Sequence, residues 1–320
     1  MAADYARFLA RRILQAAFVI FAAFTASFAL LYGIGGNPVV GLYSGGESGT
    51  MTPAELAQLN RQFGFDKPLA AQYLSRLGGL VTGNFGDSIK TGQPVAQLIG
   101  AALPNTAAVI GLALVIAVLL GTALALSAAY ARASWLRQFL LSLPALGVSL
   151  PTFWVGLTLI SIFSFKLKLL PAIGNHGPDS LVLPAVTLAL PGAATIAQVL
   201  AKSMRSTIEQ PFVATAKAMG LSRHVIYLRD VLRSASLPAL TVTGTMIANM
   251  IGGAVVVEIV FSRAGLGQII VQAVLNRDIP VVQGVVVLGA VAFAVISLLI
   301  DLAYPLIDPR LNVIATGAAR

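Results

Sequence analysis

Few side chains in this 320-residue sequence are spaced for covalent chemistry. Gly46-Glu47-Ser48-Gly49 sets a serine between glycines, as an intramembrane serine hydrolase does with its nucleophile. That chemistry needs the serine on a buried helix and a histidine from a second helix as base. Here the serine falls in a glycine-rich loop, and His176 and His224 fall in other loops without metal-ligand spacing. With no cysteine there is no thiolate ligand, cysteine nucleophile or disulfide. Residues 83–91 read G-N-F-G-D-S-I-K-T, but Ile89 stands where a phosphate-binding loop needs the glycine before its lysine. The chain is therefore expected to bind neither ATP nor a metal. Glu258 and Asp301 border long apolar runs, and with Asn249 they are the candidates for lining or gating a pathway.

The elements that would carry these residues follow from composition. Hydrophobic residues make up 57% of the chain, charged residues 10%, and the mean hydropathy is +0.86. Soluble domains are about 25% charged, so the surplus apolar surface must face lipid. Six charge-free stretches suit spanning helices of about 20 residues: 13–33, 104–128, 139–165, 181–201, 237–257 and 279–300. Arg11 and Arg12 precede the first, as in a signal peptide, but its apolar run exceeds the roughly 7 to 15 residues of a signal core. It is read as an anchor.

Six spans place both termini on one side. Arg7, Arg11, Arg12, Arg132 and Arg137 lie on that side, as do Lys202, Arg205, Lys217, Arg223, Arg229 and Arg233. The positive-inside rule makes it the cytoplasm. Basic residues spread over short loops explain the net charge of +9 as topology, and no nucleic-acid partner is expected.

Two segments between spans should fold. In 36–103, Thr52-Pro53-Ala54-Glu55 is a capping box that starts a helix, and Gly64 can end it. A second helix is expected from Pro68 to Leu77, stopped by Gly78-Gly79. In 202–236, Pro211 opens a short helix and Gly220 caps it. Ser222 then caps another helix with Val225, Leu228, Val231 and Leu232 on one side, before Leu237-Pro238 leads into the fifth span. Ala214, Ala216, Ala218 and Gly220 would let another protein approach closely, with Lys217 adding polarity; the competing reading is an interfacial helix on anionic lipid. Gly244, Ala248 and Gly252 form a small-residue stripe on the fifth span. Pro144, Pro151, Pro184, Pro191 and Pro238 permit kinks.

Several blocks then read as a set. Outside the spans are Gly64-Phe65-Asp66-Lys67-Pro68-Leu69 with Gln72-Tyr73-Leu74, and Gly83-Asn84-Phe85-Gly86-Asp87-Ser88 with Thr91-Gly92-Gln93-Pro94-Val95 and Leu103-Pro104-Asn105-Thr106. Further on come Ala214-Thr215-Ala216-Lys217-Ala218-Met219-Gly220, Glu258-Ile259-Val260-Phe261-Ser262, Gly265-Leu266-Gly267 and Asn276-Arg277-Asp278-Ile279-Pro280. The tail holds Asp301-Leu302-Ala303-Tyr304-Pro305-Leu306-Ile307-Asp308-Pro309-Arg310. In this order, over nearly the whole chain, they resemble the membrane subunits of binding-protein-dependent ABC importers of the peptide/nickel class, the dipeptide and oligopeptide permease B-type subunits.

The resemblance implies an all-α membrane protein with the type I importer permease fold, in a bacterial inner membrane. Its parts would be an N-terminal segment with the first span (1–35), a periplasmic insertion (36–103), a five-helix core (104–310) holding the cytoplasmic coupling loop 202–236, and a tail (311–320). Implied partners are a homologous second permease subunit, two ATP-binding cassette subunits that carry ATP and Mg, and an extracytoplasmic substrate-binding protein. Ala214, Thr215, Ala216, Lys217 and Gly220 would form the ATPase-coupling segment. The family's general motif there begins Glu-Ala-Ala; at the matching positions this chain has Ala214, Thr215 and Ala216. The implied cargo is a di- or oligopeptide. Nickel or another small solute, or proton-coupled transport, are the alternatives.

Overall fold

In lipid, backbone polar groups must be satisfied within the chain, which leaves helices as the economical choice. The computed structural model describes residues 2–33, 39–40 and 52–307, and its named elements are all helices. These are α1 (Ala2–Gly33), α2 (Pro53–Phe63), α3 (Leu69–Thr82), α4 (Val95–Tyr130), α5 (Ser134–Ser149), α6 (Thr152–Lys166), α7 (Asp179–Ile208), α8 (Pro211–Ala218), α9 (Arg223–Val260), α10 (Leu266–Leu275) and α11 (Ile279–Ile307). Among the described residues, five stretches are long and apolar enough to cross a membrane: Leu9–Gly33 within α1, α4, α7, α9 and Ile279–Ile300 within α11.

The sixth candidate is α5 with α6, bent by 102° at Leu150-Pro151. The pair tracks α7 in antiparallel order. Leu140 lines a cavity with Ala201, a methyl added at Gly147 would lie 2.9 Å from Ala194 Cβ, and one at Gly156 would lie 3.4 Å from Thr187 Cγ2. A re-entrant loop would double back along α7. Steady progress from one end of α7 toward the other identifies α5–α6 as one broken crossing.

The chain forms two compact units, 1–106 with 264–298, and 107–263 with 299–320. The described part of 36–103 therefore belongs to a larger unit that includes α1 and α10. In this first unit, Phe24, Phe28 and Tyr32 stand one turn apart on α1 with ring centroids 6.3 and 4.4 Å apart. Tyr73 of α3 closes edge-on against Phe28 at 5.2 Å, and its hydroxyl shares a 2.9 Å hydrogen bond with Thr25. Arg76 lies over the Tyr32 and Phe65 rings and donates to the Phe63 carbonyl. Cation–π contacts of this kind contribute roughly 0.5–1 kcal/mol each.

The capping box at Thr52 and Glu55 is formed, and Gly64 ends α2 with φ +75°. Gly78-Gly79, expected to stop α3, lie inside it, and Gly83 is the terminator at φ +73°. Gly79 serves packing, because a Cβ there would collide with the Asn84 carbonyl oxygen.

Pro104 was expected to begin the second span, but α4 starts nine residues earlier. Val95 and Ile99 are buried on its first turns with Ala273, Val281 and Val282, and Gly284 admits Val95 Cγ1 to 2.7 Å of where its Cβ would stand. Tertiary burial overrides the proline as a boundary.

The second unit is built around α7. Its most apolar window is 67% buried, against 28% for α4 and 22% for α9. Small residues explain this position. Gly121 of α4 lies against the Ala193 carbonyl, and Met246 Sδ fills the space beside Gly192. Ala185, Ala189 and Ala193 are buried with Met246, Met250 and Phe261 in the main apolar core.

The helix expected after Ser222 is not separate from the fifth span. Arg223–Val260 is one helix with Pro238 inside it and a π segment at Ile226–Val231. The π segment shifts the register of the buried face. Ile226, Tyr227 and Val231 point inward, whereas Val225 and Leu228 are exposed.

Candidate functional site

The short helix α8 and its flanks form the most distinctive exposed element of the second unit. Gln210 precedes it, and Pro211 occupies the first helical position, where its missing N–H costs nothing. Val213 and Ala216, three residues apart, are 0% and 5% exposed and pack with Met204, Ile226, Tyr227 and Val231. Gly220 at φ +80° completes a Schellman cap: its N–H donates to the Lys217 carbonyl and that of Leu221 to the Ala216 carbonyl. Ser222 then caps α9, accepting from the Val225 N–H at 3.4 Å.

The segment 214–220 thus divides. Ala214, Thr215, Lys217 and Gly220 are exposed. Ala216 is buried: its side chain faces the chain's own core, where its small size serves internal packing. Gly220 has open space where a Cβ would go, so glycine is needed there for backbone conformation and not for clearance. Around the exposed alanines sit Phe212, Met219 and Leu221, at 40%, 68% and 40% exposure. The face is apolar and shallow, with Lys217 as its cation. Thr215 returns its hydroxyl to the Pro211 carbonyl.

The root of α8 is stiffened by the start of α9. Arg223 stacks over Tyr227 and Tyr130 at 4.9 and 5.8 Å and donates to the Ala129 carbonyl at 2.8 Å. Tyr130 Oη lies 3.3 Å from His224 Nδ1. His224 therefore ties the end of α4 to α9. Among the described residues no cluster of three His, Cys, Asp or Glu side chains could hold a metal.

The three pathway candidates have different surroundings. Asn249 is exposed on α9, on the same face as Thr241, Thr245 and Gly252. Thr241 and Thr245 donate their hydroxyls back to the Leu237 and Thr241 carbonyls, which leaves Asn249 as the strongly polar group of this face. Of the small-residue stripe, Gly244 packs against Ile300 of the same unit, while Gly252 has open space beside it. Glu258 is 0% exposed, with its charge acting on Arg263. Asp301 lies in α11, and its side chain is outside the described residues, as is the Gly46–Gly49 segment.

Arg263 escaped the reading of the sequence. It is 2% exposed, and its Nη1 donates to the Gly174 and Ser180 carbonyls at 3.0 and 2.9 Å and to the Ser180 hydroxyl at 3.1 Å. Burial lowers its pKa from the usual arginine value, and Glu258 opposes that shift. In the first unit Asp278, 3% exposed, accepts from the Ser88 hydroxyl at 2.5 Å and the Ile89 N–H at 3.1 Å, while Lys90 Nζ donates to Asn276 Oδ1. Residues 83–88 and 276–280, far apart in the sequence, are thus brought together as one latch by Ser88 and Asp278. The nearest signal was the presence of isolated charges inside otherwise apolar blocks.

Comparison with known proteins agrees with this architecture. Residues 117–313 match the family described as the binding-protein-dependent transport system inner membrane component, and residues 5–125 match the N-terminal region of such membrane components. A dipeptide transport system permease protein, DppB, of Bacillus subtilis is 35% identical over 313 residues, covering 98% of this chain and 100% of the relative. A probable peptide ABC transporter permease protein, y4tP, of Sinorhizobium fredii is 36% identical over 271 residues, covering 82% and 87%. A putative peptide transport system permease of Brucella suis is 33% identical over 310 residues, covering 94% and 98%. Among solved structures, an amino acid ABC transporter crystallised with histidines shares the fold, with TM-score 0.51 over 64% of this chain and 92% of its own at 18% identity. With six crossings, an exposed small helix between the fourth and fifth, and matches to both parts of the family over nearly its whole length, the chain belongs to the inner-membrane components of binding-protein-dependent transport systems.

Proposed function

We propose that this chain is the permease subunit of an ATP-driven importer of di- or oligopeptides, forming half of the translocation pathway. The names of the relatives support the cargo class. The basic residues at the α8 end support the orientation, with that end and both termini in the cytoplasm. A homologous permease would supply the other half, an extracytoplasmic binding protein would deliver the peptide, and two ATPase subunits carrying ATP and Mg would grip α8 of each permease.

The observation that carries this reading is α8 itself. It is an exposed helix of small residues held by only Val213 and Ala216, and short links join it to α7 and α9. A pull on such a knob cannot be absorbed locally. The 38 residues of α9 form one helix of roughly 57 Å at 1.5 Å per residue, so movement at its start reaches Asn249 and beyond. In this reading the face bearing Thr241, Thr245, Asn249 and Gly252 meets the peptide or the second permease. Binding energy on the partner ATPases moves the helices, and this chain supplies the lever and a weakly selective polar lining.

Ala214→Trp tests the docking role, because an exposed helix face tolerates the bulk without unfolding. In liposomes holding the full transporter, ATP-driven peptide uptake is expected to fall at least tenfold while the melting temperature stays unchanged. Undiminished uptake would remove α8 as the coupling element. Uptake by this chain alone under a proton gradient would favour the carrier reading.

A further inference from the structure

We propose that the basic end of the second unit holds an anionic phospholipid, with the headgroup phosphate between Arg137 and Arg205 and an acyl chain in the groove behind them. A cavity of about 360 Å³ opens there among the ends of α4, α5 and α7 and the start of α9. Arg137, Arg205 and Arg223 line it, with Glu209 as the opposing charge. Glu209 does not neutralise the site. It lies 4.0 Å from Arg205 with both side chains largely exposed, a geometry that contributes little in water. Arg223 is held in place by the Ala129 carbonyl and the Tyr227 ring, which leaves Arg137 and Arg205 as the two arms at the mouth.

The other half of the argument is the groove. A second cavity of about 260 Å³ shares Ala125, Leu141, Ala201 and Arg205 with the first, has Gln198 and Lys202 as its other polar lining, and continues past Leu140, Pro144 and Ala197. These residues lie progressively further from the helix ends, so the groove runs from the charged mouth toward the apolar interior of the bilayer. The mouth itself is at headgroup depth, because α4 ends at Tyr130, α5 begins at Ser134 and α7 ends at Ile208. Trp135, 71% exposed on the first turn of α5, suits the interface at that level. An occupant must therefore be anionic at one end and aliphatic at the other. A soluble anion would use the mouth and leave the groove unfilled, and a neutral lipid would use the groove without the arginines. Basic pockets between membrane helices are suited to anionic headgroups.

The test uses the full chain in nanodiscs of phosphatidylcholine doped with phosphatidylglycerol, with retained lipids counted by native mass spectrometry. Wild type is expected to retain phosphatidylglycerol preferentially. R137Q/R205Q should retain at least fivefold less, while R229Q/R233Q, which removes the same charge from exposed sites outside both cavities, should behave as wild type. Unchanged melting temperatures would confirm that both variants are folded. Equal retention in the two variants would overturn the proposal in favour of general interfacial charge. Displacement of the lipid by millimolar inorganic phosphate would overturn it in favour of a free-anion site.

Discussion

One backbone device closes five helices among the described residues, α2, α3, α8, α9 and α10, and the last three differ in their surroundings. α8 ends in a Schellman cap with Gly220 in the left-handed position and the exposed Leu221 next. α9 ends in the same cap with Ser262 at φ +47°, followed by the buried Arg263; α10 ends with Arg277 at φ +54°, followed by the buried Asp278. A left-handed residue with a side chain costs roughly 1–2 kcal/mol. At α8 nothing nearby would compensate that strain, and glycine avoids it. At α9 and α10 the following residue is anchored by hydrogen bonds to its ionised group, so the surroundings over-determine the conformation and the strain is tolerated. The knob end is relaxed and shallow, and the latched ends are strained and deeply held.

This contrast sets the order of expected effects. Arg263→Met should be the most damaging change, at about 3–5 kcal/mol, because it removes a buried charge that acts on the buried Glu258 and a donor to the Gly174 and Ser180 carbonyls. Unfolding of the purified protein in detergent measures it, and adding Glu258→Gln should restore part of the loss. A single-variant loss no greater than that of a cap change would erase the distinction between the two ends. Asp278→Asn comes next, at about 1.5–3 kcal/mol for hydrogen bonds to an ionised acceptor. It should appear as faster proteolysis between Ser88 and Gln93, the loop that Asp278 holds through Ser88 and Ile89.

Gly220→Ala should cost about 1 kcal/mol by strain alone, since its added methyl meets nothing. A larger loss would mean that Gly220 has a close neighbour. Ser262→Gly is the smallest change and the opposite in sign. Relief of the left-handed strain, less the greater chain entropy of glycine, leaves a gain of at most about 1 kcal/mol. Destabilisation on introducing glycine would show that Ser262 is not strained.

The fold was largely legible because membrane spans declare themselves by apolar length. All six were found, along with the capping box at Thr52 and the short helix opened by Pro211. Boundaries were less legible where packing competes with local signals. Pro104 reads as a start, but Val95 and Ile99 extend α4 ahead of it because they have a core to enter. Gly78-Gly79 reads as a stop, yet α3 continues because a close carbonyl requires a residue without Cβ. The π segment at Ile226–Val231 is invisible to a 3.6-residue period, which groups Val225 and Leu228 with Val231 and Leu232. Val231 is buried as grouped, but Ile226 and Tyr227 turn inward with it and Val225 and Leu228 are exposed.

The candidate site was half legible for the same reason. A run of small residues between a proline and a glycine marks a short exposed helix, but the run does not say which alanine turns inward. Burial of Ala216 beside Val213 is a property of the surface beneath α8.

By itself the sequence determined that this chain is a multi-span membrane protein with a small-residue loop between its fourth and fifth spans, because apolar run length, charge placement and helix-capping chemistry are local quantities. Only the tertiary structure decided that Glu258 is held inside and that Ser88 and Asp278 are partners. Each of those facts depends on groups far apart in the chain meeting in a medium of low dielectric, where an unpaired charge or backbone group is too costly to leave alone. No local pattern records which partner a buried charge will find.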